Sequence, residues 1–171
     1  MVYELMSLLF ALAQGGAMNL TSTAFAASGG IPTKYTCESQ SEVSPPLAWN
    51  DVPPQAKSLA LIVEDPDAPD PKAPQRIWVH WVVVNLPPGP GKLDEGGPLP
   101  AGARAGLNDW KKPAWGGPCP PIGRHRYFFR LYALDTKIDL QQPTKAELES
   151  AMKGHILATA ELMGTYEKTK K

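Results

Sequence analysis

Four side chains of this sequence could do acid–base chemistry from a restricted position: Asp65, His80, His125 and Tyr127. Each stands at or near the mouth or centre of a β-forming run, beside a loop stiffened by proline or glycine. A histidine within reach of water or a hydroxyl is a general base, and an acid with two histidines is also a workable metal-ligand set. Spacing alone does not show that the four meet. A plainer role is open to three of them. His80, on a face with Trp78 and Val82, reads as a satisfied core histidine. His125, between Arg124 and Arg126, reads as a surface residue. Asp65 and Asp67 read as turn formers that bond their own backbone.

The catalytic alternatives are thinly supported. No nucleophile elbow or Ser-His-Asp signature is present, and no local ligand spacing such as HExxH supports a metal site on Asp65, His80 and His125. Cys119, between prolines, is the one tempting nucleophile; packing, or a bridge to Cys37, is the other use for it. Two cysteines do not make a disulfide framework, and without CxxC spacing they do not suggest a zinc site.

The elements that must position these residues are strands. Leu59–Val63 is a continuous apolar run, expected to stop at the turn Asp65-Pro66-Asp67-Ala68-Pro69 because proline fixes φ and lacks an N–H. Ile77 to Val84 follows, apolar on both parities and therefore covered on both faces. Simple alternation puts Ile77, Val79, Trp81 and Val83 on one face, and Trp78, His80, Val82 and Val84 on the other. The run from Gly123 to Leu134 places His125, Tyr127, Phe129 and Leu131 together, with Arg126, Phe128, Arg130 and Tyr132 opposite. Shorter extended pieces are expected at Leu20–Phe25, near Tyr35-Thr36-Cys37 and at Ser44–Trp49, where the residue before each proline is pushed to β geometry. Residues 87–106 read as one long connection. Only the C-terminus looks helical: Thr144 and Glu147 form a capping box, and Leu148, Ala151, Met152, Ile156, Ala158 and Leu162 make a helical stripe with a kink at Gly154.

At 171 residues the chain suits one domain with a sizeable core. Seventeen basic and seventeen acidic residues cancel, so no overall field recruits nucleic acid or anionic membrane, and any anion site is local. Nineteen prolines are roughly twice ordinary usage; interleaved with apolar runs, they indicate ordered loops on a β scaffold. The apolar stretch Leu5–Ala13 is preceded by Glu4 and lacks a basic flank. It is a poor signal peptide and too short for a bilayer span, so the expected location is the cytoplasm, ahead of the periplasm. The chain divides into residues 1–17, an appendage or upstream start, a single domain over 18–166, and a basic tail over 167–171.

The phrase Asp65-Pro66-Asp67-Ala68-Pro69, the strand ending Val79-His80-Trp81 to Asn85, and Gly116-Gly117-Pro118-Cys119-Pro120-Pro121 with Gly123-Arg124-His125-Arg126-Tyr127 together resemble the paired signatures of the phosphatidylethanolamine-binding protein family, also called Raf kinase inhibitor proteins. Lys34–Cys37, Ser44–Leu47, Gly106–Asp109 and Met152–Leu157 are similar to phrases of its bacterial and archaeal branch. The likeness runs from Met18 to about Tyr166.

That resemblance implies a mainly β fold, an antiparallel β-sandwich with Greek-key connections, short flanking helices and a C-terminal helical segment. It implies an anion pocket holding phosphate or a phospholipid headgroup, with Asp65, His80, His125 and Tyr127 as ligand-binding residues. The rim falls on Pro66, Asp67, Ala68 and Pro69 with Gly117, Pro118 and Pro121, and Ala68-Pro69 is the candidate cis bond. In such a pocket both imidazoles share protons with the acid, phosphate favours their charged form, and Tyr127 donates a hydrogen bond. Arg126 is expected in a structural salt bridge and Arg124 in solvent. The implied role is non-catalytic binding, without cofactor or metal, with a kinase- or protease-inhibiting consequence through a protein partner and a homodimer helped by exposed tryptophans between Asn108 and Trp115. The alternative is a hydrolase or metal-assisted phosphoesterase using the same residues.

Overall fold

The computed structural model describes residues 17–169. Residues 1–16 of the expected appendage, with its apolar stretch, and residues 170 and 171 of the expected tail lie outside the described residues. The fold is mainly β and antiparallel. β1 (Asn19–Thr21), β2 (Leu47–Asn50) and β5 (Gly91–Leu93) form a small sheet in the order β1-β2-β5. β3 (Ser58–Ala68), β4 (Arg76–Leu86), β6 (Arg104–Ala105), β7 (His125–Leu134) and β8 (Ile156–Tyr166) form a large one in the order β6-β4-β3-β7-β8. α1 (Lys145–Met152) covers the large sheet's outer face.

The central strands β3 and β4 are therefore covered on both faces along most of their length, whereas the outer face of β8 is exposed. Leu59, Leu61, Val63, Trp81, Phe129 and Leu131 pack against Leu20, Leu47 and Trp49 of the small sheet. Ala60, Ile62, Val82, Val84 and Leu134 pack against Leu148 and Met152 of α1. A strand wedged between two layers has no polar parity, which is why Leu59–Val63 is unbroken hydrophobe. Among the described residues, no helix is long and apolar enough to cross a membrane.

The C-terminal helix is shorter than the sequence suggests. Its start is as read, since the Thr144 backbone N–H donates to Glu147 (2.8 Å) and the Glu147 backbone N–H to Thr144 Oγ1 (3.4 Å). It ends at Met152, and Gly154, at φ +82°, turns the chain out of it. Ile156–Tyr166 is then strand β8, paired along β7 from His125↔Tyr166 to Leu134↔Ile156. Residues 148, 152 and 156 fit a helical period, but a spacing of four also fits a strand, and Ala158, Ala160, Leu162, Gly164 and Tyr166 face inward at every second residue.

Four smaller expectations also give way. The piece at Tyr35 is a 3-10 turn, Thr33–Tyr35, not a strand. The extended piece at Leu20 is only Asn19–Thr21. The connection 87–106 contains β5 and β6. The tail is partly held: Glu167 pairs with Arg124 at 3.3 Å, and the Thr169 N–H donates to Glu38 at 2.9 Å.

Candidate functional site

Proline does not end β3 at Asp65. The strand runs on through Ala68, and the register passes from Asp65↔Trp78 to Ala68↔Arg76, so Pro66 and Asp67 sit in a bulge. A bulge tolerates proline because the extra residues leave the ladder unpaired. Inside it the Asp67 N–H donates to Asp65 Oδ1 (2.8 Å), fixing the Asp65 carboxylate, and the following Ala68-Pro69 bond is cis.

A second bulge sets His80. Glu64 pairs with Val79 and Val63 with Trp81, leaving His80 without a partner in the ladder. The extra residue breaks the simple alternation. Val79 joins Val82 and Val84 on the helix side, whereas Trp81 joins the inter-sheet core and His80 meets Tyr127 edge-on at 5.2 Å. The expected placement of His80 on the Val82 face is thus corrected, and the bulge is the cause. His80 is then locked from the 116 loop: its Nδ1–H donates to Gly116 O (2.6 Å) and the Gly116 N–H to His80 O (3.0 Å).

That loop is built on the buried Asn108. Its side chain donates to Ala114 O (2.9 Å) and accepts from the Trp110 and Lys112 N–H groups (3.0 and 3.1 Å). Asp109 clamps the loop to β4 by accepting from the Val79 N–H at 2.8 Å. Cys37 and Cys119 are joined in a disulfide, which ties the 116–121 loop to the turn after Tyr35. Gly116 is required here, because a Cβ would lie 2.4 Å from the Trp110 ring. Trp115, read in the sequence as an exposed docking residue, stacks on Phe129 and meets Trp81 edge-on; Trp110 keeps 40% of its surface exposed.

Where β3, β4 and β7 end together, a cavity of about 470 Å³ opens. Its floor and walls include Asp65, Ala68, Pro69, His80, Pro121 and His125. Gln75, Arg76, Trp78, Trp110, Cys119 and Pro120 complete it. Asp65 Oδ2 and His125 Nδ1 are 2.7 Å apart, and His125 Nε2–H donates to Ile122 O at 2.9 Å. The structure therefore gives the two histidines different neighbours. His125 shares a proton with Asp65, whereas His80 bonds Gly116 and not the acid, contrary to the expectation that both imidazoles share protons with it. With Nδ1 protonated, His80 presents an unprotonated Nε2, which is buried and without a hydrogen-bond partner. Burial holds the His80 imidazolium back, lowering its pKa to about 4. Burial raises the Asp65 carboxyl, against the opposing hydrogen bond and charge of His125.

The other residues singled out in the sequence do not line the cavity. Tyr127 lies behind the wall, its hydroxyl buried without a partner and its pKa pushed up by burial. Asp67 turns away to a bidentate pair with Arg126 (2.9 and 2.7 Å), the structural salt bridge expected of that arginine. Gly117 and Pro118 sit behind the loop; the Pro118 carbonyl accepts from the Cys37 N–H at 3.1 Å. Pro66 stays in the bulge. Sequence reasoning missed Gln75, Arg76, Trp78 and Trp110. Arg76 and Trp78 had a signal, since residues two apart on a strand share a face, and the guanidinium lies 4.2 Å over the Trp78 ring. Trp110 had none, because a loop folded on Asn108 delivers it.

A family profile described as phosphatidylethanolamine-binding protein matches residues 21–167. The chain belongs to the phosphatidylethanolamine-binding protein family. Within it, the chain is 49% identical over 156 residues to the UPF0098 protein of Methanothermobacter thermautotrophicus, covering 88% of this chain and 99% of that one. A crystal structure of a putative phosphatidylethanolamine-binding protein homologue from Chlamydia trachomatis superposes with a TM-score of 0.81 at 50% identity, covering 89% of this chain and 98% of that one. The Escherichia coli family member YbcL superposes with a TM-score of 0.79 at 34% identity, covering 90% of this chain and all (100%) of that one. The shared fold of this family is the two-sheet antiparallel arrangement described above, not a closed barrel.

Proposed function

We propose that this chain binds a phosphate-bearing small ligand, of the phospholipid-headgroup kind, in the cavity between Asp65, His80 and His125, without transforming it. The observation that carries the reading is His80 Nε2, a buried polar atom with no partner on a residue that lines the cavity. Such an atom costs folding free energy unless a ligand satisfies it. A monoprotonated phosphate donates to the neutral ring; a dianion draws a proton onto the ring and accepts from it. Arg76, at the mouth and without a carboxylate partner among the described residues, supplies the positive charge, and a cavity of this size takes a headgroup as well as its phosphate.

The non-catalytic reading is supported by how the reactive groups are spent. Cys119 is in a disulfide, which removes the thiol that would attack an ester. Both nitrogens of His125 are engaged, so a metal would have to break one of its hydrogen bonds to find a lone pair. A kinase- or protease-inhibiting role and a homodimer are further proposals, which would use the exposed Ile77, Trp110 and Ile122. Calorimetric titration with phosphoethanolamine tests the binding: saturable heat is expected, weakened roughly tenfold by His80→Ala. No saturable heat with any phosphorylated headgroup, or turnover of a phosphoester that His80→Ala abolishes, would overturn the reading.

A further inference from the structure

β3 and β4 carry a second concavity at their other ends. Eleven residues per strand at roughly 3.3 Å each set the two about 30 Å apart. This cavity, of about 340 Å³, is lined by Lys57 and Ser58 at the start of β3, Asn85 at the end of β4, Arg104 on β6, and Lys137. Three cations thus face one space. Among the described residues none of the three has a carboxylate within salt-bridge distance, in contrast to Lys34, Lys92, Arg126, Arg130 and Lys145. In a chain whose charges sum to zero, this is a local excess of one sign.

Arg104 is already oriented. Its Nη2 donates to the carbonyls of Ile138 (3.1 Å) and Leu140 (2.8 Å), which hold the guanidinium plane in place. Its Nε is buried and has no acceptor, and Nη1 has none among the described residues either. Asn85 fixes the same wall, donating to Ile138 O and accepting from the Ile138 N–H, both at 2.8 Å. Pro87 and Pro88 stiffen the facing edge.

We infer that this cavity is a second anion site, built for a phosphate group. Arg104 Nη1 is its fixed donor and the Lys57 and Lys137 ammonium groups its mobile ones. A doubly charged tetrahedral anion matches three cations better than a single carboxylate does, because it offers more acceptor oxygens and more charge to share among them. The volume admits free phosphate or a monoester with a short substituent. It is separate from the Asp65 cavity and stands or falls without it.

The test is an NMR titration of 15N-labelled protein with inorganic phosphate and, separately, glycerol phosphate, each against sodium chloride at matched ionic strength. Saturable shifts of the Arg104 Nε–Hε and Asn85 side-chain amide resonances are expected. The Lys57→Gln, Lys137→Gln double variant should weaken them roughly tenfold, and it alters exposed side chains only. The His80 ring response at the other end of the sheet should be unchanged by that variant. Tighter binding of glycerol phosphate would assign the site to monoesters, and equal binding to the phosphate group alone. Shifts matched by chloride, no shifts with phosphate, or a double variant that titrates like wild type would overturn the inference.

Discussion

Asp65 and His125, sixty residues apart in the chain, meet through a 2.7 Å contact between Oδ2 and Nδ1 in which neither side chain is more than 5% exposed. The pair is a buttress. His125 spends its second nitrogen on Ile122 O, and Asp65 spends its other oxygen on the Asp67 N–H. His80 is left as the imidazole with a nitrogen to offer a ligand. The geometry gives one histidine two protein partners and leaves the other, His80, with one unpartnered nitrogen, the group proposed to meet a ligand.

Removing one side of the buttress should cost stability before it costs binding. Asp65→Ala strands a buried imidazole and an N–H, a change worth roughly 3 kcal/mol. Urea unfolding should show a lower midpoint with an unchanged slope. A midpoint within experimental error of wild type would mean that the pair is not formed.

Acid should weaken the fold through His80. Its folded pKa, about 4, lies below the ordinary 6.5, so between those values the unfolded chain binds the extra proton. Its neutral form therefore stabilises the fold fully above pH 6.5, and that contribution is lost as pH falls toward 4, by roughly 3 kcal/mol in all. Melting curves of wild type and His80→Gln across this range should differ in slope, the variant being flatter. Parallel curves would contradict a buried neutral ring. Added phosphate should oppose the wild-type loss, because an anion beside the ring favours proton uptake.

Arg126 should matter at neutral pH and cease to matter in strong acid. Its guanidinium hydrogen bonds hold the Asp67 carboxyl below its ordinary 3.8. The pair's contribution is therefore complete above that value and disappears as pH drops through the lower folded one. Arg126 is half exposed, so the loss in Arg126→Met should be about 1 kcal/mol at pH 7. Unfolding measured at pH 7 and below pH 3 tests this; an equal loss at both would point to packing and not charge.

Gly116→Ala should disturb the cavity without unfolding the sandwich. The new Cβ meets the Trp110 ring at 2.4 Å, and the same residue holds both backbone bonds to His80. Phosphoethanolamine affinity should fall by about tenfold, with Trp fluorescence shifted and far-UV dichroism unchanged. Unaltered affinity would show that the Trp110 loop takes no part.

The strands were legible wherever one physical pattern dominated. Leu59–Val63 and the run Gly123–Leu134 read as strands because an unbroken apolar stretch in one and β-forming residues with an apolar parity in the other leave little else. His125, Tyr127 and Phe129 were placed on one face because β7 has no bulge among them. His80 was misplaced because one extra residue reverses parity, and nothing in Val79-His80-Trp81 signals it. β8 was read as helix because Leu148, Met152 and Ile156 fit both periods. Asp65, His80 and His125, which line one cavity, stand out in the sequence from their loops and from the family resemblance, but Trp110 and the Arg104 cluster depend on tertiary placement that no local pattern encodes.

The most direct test of the proposed binding at the Asp65 cavity is the imidazole NMR spectrum of the three histidines during titration with phosphoethanolamine. His155, held by Asp135 on the exposed surface, serves as the control. The His80 ring should shift most, the His125 ring should follow saturably with the same midpoint, and His155 should stay still. Silent His80 and His125 rings, or rings that respond to zinc and not to phosphate, would contradict that binding.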